Sequence, residues 1–553
     1  MKTLLTLLAL VAGSIMLQAR DTRFVIDFGA IPDDGQDDTD ALRAAAQYCR
    51  QHPGTTLVFA PGTYILRDKE ALRVQHEAMS GAYGQDPEKR MFLPYHQYVS
   101  GLDFTGAQDI TVEAAGATLM CEGWMEVITL SQTRHFTLSG LTIDHLRHPM
   151  SEGVVTQVDE ASFVVHFTRP AVDSLTFDTP YPRVVLWDLQ NDGAYSSPFY
   201  FARQEMVGHN MVRFRGQLPQ RMVGAPVSVP HSFHYRPAIF VHESEDTHLS
   251  HVTIHAHCGM GIVGFHTRDV TMDYLSVCPT PGYHFSTNTD ATHFAACEGR
   301  ISFDHCFFYG QGDDATNVHG YYHDIDGVQD GWATLHLRAG TFTHCQLADV
   351  PRVGDKMALV RISTLEPVRE YTVRQVRHQP KSVTFDVRLN AQLPDSIQDY
   401  YLINTTLMPS LVFRNSVDYG HIARSVLVKT HNVLIENNIF RGVSMTPVIL
   451  CSESGWKEGW HTENAIIRGN HFDHCNVTSY CQGASIGVRL EAPDNASVQL
   501  HRNILIEDNT FRGMGDTECA ISVENAQHVT LRNNRAEGYR QLLHTRAAVV
   551  KEK

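Results

Sequence analysis

Short runs in which apolar and polar residues alternate recur along the chain: HFTLSGLTI at 135–143, HLSHVTIHA at 248–256, DVTMDYLSV at 269–277 and RISFDHCFF at 300–308. After a gap come NVLIENNIF at 432–440, AIIRGNHFD at 465–473, ILIEDNTFR at 504–512 and HVTLRNNRA at 528–536. A period of two means a strand with one buried face, and the Asn, Asp or His that ends most runs marks a turn. A second set of strands interleaves with these, starting at Ala238, Gly261, Ala291 and Ala315, then at Val426, Val448, Ser485 and Ala520. Successive starts differ by 23, 30 and 24 residues and then by 22, 37 and 35. A repeat in the low twenties, with two strand types per period and no helical periodicity between them, predicts an all-β solenoid, a right-handed parallel β-helix. Asn437, Asn470, Asn509 and Asn533 read as turn residues of its corners.

DFGAIPDDGQDDTDALRAAAQYCR, from Asp27, reads as an extended segment entering a short amphipathic helix, and LVFAPGTYIL from Leu57 as the first rung. Such a helix covers the open end of a solenoid, where an exposed core would template aggregation. Two stretches break the rhythm. Residues 151–235 and 326–408 carry SFVVHFT, RVVLWDL, MALVRIS, REYTVRQV and SVTFDVRL with proline at several joints, which predicts two small antiparallel β-barrel domains inserted between rungs. The expected order is therefore a leader at 1–19, rungs at 20–150, an insert at 151–235, central rungs at 236–325, a second insert at 326–408 and closing rungs at 409–553.

Composition narrows the partners. Across 553 residues the chain is 43% hydrophobic and 19% charged, the balance of a folded protein. Its formal charge of -16 and the lack of a Lys/Arg run argue against nucleic acid and against an anionic membrane surface. MKTLLTLLALVAGSIMLQA reads as a secretory signal cleaved after Ala19, with no cysteine following to accept a lipid and no later stretch of membrane-spanning length. An exported protein, periplasmic or extracellular, is expected. The eleven cysteines show no C-x-x-C pair, so most are expected to be small buried hydrophobes.

FYGQGDDATNVHG, Phe308–Gly320, is the polar exception among apolar rungs. Aligning Asp290-Ala291-Thr292-His293 with Asp314-Ala315-Thr316-Asn317 places Asp290 beside Asp314 and His293 beside Asn317, one strand spacing of about 4.8 Å apart. Asp313 is offset by one residue. Rungs on either side are expected to hold apolar residues at these places. Like charges so close need donors, a proton or a cation, and glycosidic cleavage is one use for them: one carboxyl protonates the leaving oxygen while another activates water. Asp290 and Asp314 would hold the water and Asp313 would be the acid; a solvated turn or half of a calcium site remain alternatives. His319 is a further candidate. Arg424 and Lys429 flank the strand after the second insert, and Glu453, Trp456 and Trp460 lie in the loop SESGWKEGW, where a tryptophan can stack on a sugar or pack beneath the loop.

Asn288-Thr289-Asp290 followed by Asp313-Asp314 resembles the pattern of the polygalacturonases of glycoside hydrolase family 28, although their later Arg-x-Lys has no clear match here. The stretch HFSTNTDATHFAACEGRISFDHCFFYGQGDDATNVHG, residues 284–320, more closely resembles glycoside hydrolase family 110, the exo-acting α-1,3-galactosidases. That resemblance implies inverting hydrolysis of terminal α-1,3-linked galactose, as in blood group B antigen or linear Galα1-3Gal, without a metal or other cofactor. It implies Asp290, Asp313 and Asp314 as catalytic carboxylates, Asp313 as the acid and the other two as base; the residues themselves, apart from the resemblance, make Asn288, His293, Asn317, His319, Arg424, Glu453, Trp456 and Trp460 candidates around the sugar. A β-helical polysaccharide lyase and a non-catalytic glycan-binding solenoid are the alternatives the residues leave open.

Overall fold

The computed structural model describes residues 21–84, 88–169, 183–188, 199–200, 204–232, 234–337, 344–476 and 483–552; the leader at 1–19 lies outside them. Parallel pairing repeats from one coil to the next, in the arrangement of a right-handed β-helix. One ladder runs Glu126–Ser131, Ile239–His242, Ile262–Phe265, Thr292–Ala295, the start of Thr316–Gln329, Val426–Val428, Val448–Glu453 and Ile486–Glu491. Alternate residues of this ladder, such as Phe294, Val318, Val428 and Leu450, point into a continuous apolar core. The others face outward, and these carry the site. Ile486, and not Ser485, stands level with Val448, which keeps β-branched side chains stacked inside.

Each coil has three strands rather than two. The runs read above as single strands turn a corner midway: His251, Tyr274, His305, Asn415, Asn437, Asp508 and Asn533 all have φ between 53° and 57°. A short third strand follows each corner, as in Thr253–Ile254, Ser276–Val277 and Phe307–Tyr309. Period-two alternation continues across the bend, which hides it in the sequence. Asn437 and Asn533 are thus turn residues as expected, but Asn470 and Asn509 point inward. The Nδ2 of Asn438 donates to Asn470 Oδ1 at 2.9 Å, Asn470 to Asn509 at 3.0 Å and Asn509 to Asn534 at 3.0 Å. This buried amide ladder satisfies polar groups that the corner would otherwise strand.

The amphipathic helix is Thr39–Gln51, with Leu42, Ala45, Ala46 and Cys49 packed on the first coils. A seven-stranded antiparallel sheet spans Met150 to Pro230 around Phe163, Phe167, Val184 and Phe214. The second set of antiparallel strands closes on itself. Thr316–Gln329 pairs with Trp332–His336 and Tyr400–Asn404, and the ring is completed through Phe385–Leu389, Pro367–Arg377 and Lys356–Arg361. Ten cysteines among the described residues are free, nine of them buried. Among the described residues no helix is long and apolar enough to cross a membrane.

Candidate active site

The register His293↔Asn317 and Thr292↔Thr316 brings Asp290 beside Asp314, and the Ala291 amide donates to the Asp314 carbonyl at 2.9 Å. The glycines before Asp313 explain how adjacent turns approach so closely. A Cβ on Gly312 would run into the Asn288 carbonyl and the Arg183 guanidinium, and one on Gly310 into the His284 carbonyl. Arg183, projecting from the first insert, donates to the carbonyl oxygens of both Gly312 and Asn288 and so ties the two carboxylate-bearing turns together.

Carboxylate oxygens of Asp290, Asp313 and Asp314 lie within 4.8 Å of one another. Burial pushes all three carboxyls above their ordinary range; Asp314 repels Asp290, and Asp290 repels Asp313, adding to the rise. Arg424 opposes it at Asp314, where the main-chain amide donates to Oδ1 at 2.9 Å and the guanidinium to Oδ2 at 2.7 Å. Asp290 Oδ2 is 2.7 Å from His293 Nδ1. Asp313 keeps part of its surface open to the cleft, and no side-chain hydrogen bond to its carboxyl is found among the described residues. Of the three, it is the one whose carboxyl is most open to the cleft.

The cleft holds about 110 Å³ and is lined by His234, Met260, Asp290, His293, Asp313, Asp314, Asn317, His344, Arg424, Glu453, Trp456 and Glu458. Below it, Lys429 is fully buried between Glu453, 2.8 Å away, and Glu458, 2.7 Å away. Burial alone would raise both carboxyls, but Lys429 with Arg424 at Glu453, and His319 with Lys429 at Glu458, bring them below their ordinary range. Glu458 also accepts from Asn317 Nδ2 at 3.2 Å, and it is fixed there because Glu458–Gly459 pairs with Gly320–Tyr321. Trp456 is 56% exposed at the mouth, a flat apolar face beside the carboxylates.

Several expectations are corrected. Polar character is not confined to two rungs, since Thr316↔Val426 puts Arg424 level with Asp314 on the next coil. Trp460 packs with Tyr322, Tyr401 and Met408 and lines a separate hollow beside Lys356 and His431. Asn288 does not line the cleft; its side-chain amide donates to Ser232 O at 2.9 Å and braces the turn. His319 lies behind His293, bonded to it at 2.8 Å. His234, His344 and Glu458 are cleft residues the sequence reading did not pick. His234 stands at the end of the first insert and His344 within the second, where the coil register gives no guide, while Glu458 sits in the loop that holds Glu453 and Trp456.

Three carboxylates, two of them buried, thus crowd a cleft on the flank of a β-helix. No family model matches the chain. It is 28% identical over 533 residues to alpha-1,3-galactosidase A of Bacteroides fragilis, covering 90% of this chain and 84% of that protein. Alpha-1,3-galactosidase B of Bacteroides thetaiotaomicron is 25% identical over 525 residues, 88% of this chain and 82% of the relative. Among solved structures, a family 28 exopolygalacturonase of Yersinia enterocolitica aligns with 96% of this chain and 78% of its own at 11% identity and a TM-score of 0.43. The curated relatives support a glycoside hydrolase.

Proposed function

We propose that the protein is an exported, exo-acting α-1,3-galactosidase that removes terminal α-1,3-linked galactose with inversion, from linear Galα1-3Gal or the branched blood group B determinant. The observation that carries this reading is the pairing of Asp290 with Asp314 one rung apart, with the outward-facing Asp313 in the same cleft. Asp313, its pKa raised by burial, donates a proton to the glycosidic oxygen as the C1–O bond breaks. Asp314 takes a proton from a water whose oxygen bonds to C1, and Asp290 orients that water. The products are free galactose and the shortened glycan. Trp456 offers a stacking face to the sugar ring, and the small cleft suits a single terminal residue.

The three carboxylates are closer together than the roughly 6.5–9.5 Å usual between acid and base in inverting enzymes. Inversion is therefore argued from what holds the carboxylates. Both Asp314 oxygens accept from Arg424 and Asp290 Oδ2 is held by His293, which suits the pair to orienting water and not to attacking carbon. The test is to incubate the protein separately with group B trisaccharide and Galα1-3Gal and follow the released sugar by proton NMR. The β-anomer of galactose should appear first. Release of the α-anomer would overturn inversion, and no release from either glycan would overturn the activity.

A further inference from the structure

Three hydrogen bonds run in line from the cleft to the main chain. His319 Nδ1 is 2.9 Å from the Gly320 carbonyl oxygen, His319 Nε2 is 2.8 Å from His293 Nε2, and His293 Nδ1 is 2.7 Å from Asp290 Oδ2. A carbonyl oxygen only accepts, so His319 carries its proton on Nδ1, and in a neutral ring its Nε2 accepts. His293 must then donate from Nε2, which leaves its Nδ1 as an acceptor. The group facing that nitrogen is Asp290.

We infer that Asp290 is a carboxylic acid at rest, its proton donated to His293 Nδ1, and that the His293–His319–Gly320 chain is the device that keeps it there. His293 and His319 are then positioning residues. Resting on the functional reading above, this divides the water-holding pair: Asp314 is the charged base, and Asp290 offers its neutral carbonyl oxygen to the same water. Asp313 stays the acid that meets the leaving group.

The alternative is a proton moved onto His293, giving an imidazolium beside a carboxylate. Glu458, whose Oε1 is 3.8 Å from His319 Nε2, and Asp314 both pull toward it, but each already faces a cation, Lys429 at Glu458 and Arg424 at Asp314. Arg424, Lys429 and Arg489 already face Asp314, Glu453 and Glu458, and the exposed Glu491 stands beside Glu453 on the next coil. The remaining titratable neighbours are Asp313, His234, His344 and Tyr321. Burial favours the neutral form on both sides of the bond: it raises Asp290 well above the carboxylate range, with Asp314 adding to the rise, and brings His293 down to about 4 and His319 to about 3. A metal shared with His344 fits less well, because two nitrogens on one tetrahedral zinc stand about 3.3 Å apart, wider than the 2.8 Å between His293 and His319.

Protein labelled with ¹⁵N-histidine, read at neutral pH by long-range ¹H–¹⁵N NMR, tests this, with His293→Gln and His319→Gln identifying the two rings. The expected result is an Nδ1–H tautomer for His319, an Nε2–H tautomer for His293, no imidazolium, and a protonated-carboxyl infrared band that disappears in Asp290→Asn. The amide of Asp290→Asn can donate to His293 Nδ1 as the acid does, so the His293 tautomer should persist in that variant; this arm stands even if the glutamine variants fail to fold. An imidazolium or an Nδ1–H tautomer at His293 would overturn the inference, as would resonances of the two rings that shift when zinc is added or chelated. Tautomers as expected in a protein that releases no galactose would remove the functional reading and leave this assignment standing.

Discussion

Arg424 grips Asp314 with two separate donors, its main-chain amide on Oδ1 at 2.9 Å and its guanidinium on Oδ2 at 2.7 Å, both from the coil after the one it holds. Only the second can be removed by mutation. In Arg424→Met the amide bond remains while the opposing charge is lost, so the Asp314 carboxyl, already raised by burial, rises further. A base works only when ionised. The acid limb of the kcat/KM profile should therefore move to higher pH, and activity on that limb should fall about tenfold for each unit the carboxyl moves. An unmoved limb would show that Asp314 is not the titrating base.

Asp313→Asn and Asp314→Asn should each lose about 10³-fold or more on a natural disaccharide, but for different reasons. An aryl α-galactoside with a good leaving group needs little protonation. Asp313→Asn should recover much of its activity on such a substrate, whereas Asp314→Asn should not. Equal rescue in both would reverse or erase the assigned roles.

Trp456 and Trp460 are only four residues apart, and the structure sends them to different tasks. Trp456→Ala should raise KM about tenfold, the size of one lost aromatic face, with Tm unchanged. Trp460→Ala, which empties a site packed against Tyr322 and Tyr401, should lower stability by roughly 2–4 kcal/mol and leave KM alone. Steady-state kinetics and thermal melts on the two variants separate these outcomes.

Lys429→Met would leave Glu453 and Glu458 buried without their common cation, and the expected loss is about 3–5 kcal/mol. Both carboxyls are held below their ordinary range, so the stability they contribute is present above that range and is lost as pH falls through their folded values. The mutant's deficit should therefore be largest near neutral pH and shrink on acidification. Denaturant melts across pH check the sign.

Asn470 both donates to Asn509 and accepts from Asn438. Asn470→Ala strands a donor and an acceptor in the interior and should cost about 2–4 kcal/mol, against about 1 kcal/mol for Asn464→Ala, exposed on the same coil, where the loss is mainly that of placing alanine at a φ of 58°. Comparing the two melts tests whether the ladder carries load.

The coil, its period and the meeting of Asp290 with Asp314 were legible because they depend only on strand spacing, which the alternation of Phe294 and Val318 with His293 and Asn317 fixes. The third strand was not, since the left-handed corners at His251, Tyr274 and His305 leave the alternation intact. Arg424 stands out in the sequence as a flanking residue but not as the one level with Asp314, because 110 residues, most of them inserted barrel, separate the paired positions. His234 and His344 reach the cleft from inserts whose folding no repeat predicts. Trp460 looked equivalent to Trp456 until the pairing of Glu458–Gly459 with Gly320–Tyr321 turned the chain between them.

The strand Thr316–Gln329 begins as a rung of the coil, level with the carboxylates, and ends as a stave of the closed barrel. No linker separates the two roles. The barrel is accordingly not a pendant module that can be swapped or deleted: trimming it would sever the chain within a few residues of Asn317 and His319, and any torque applied to it by a neighbouring surface would be delivered along one continuous backbone to the carboxylate cleft.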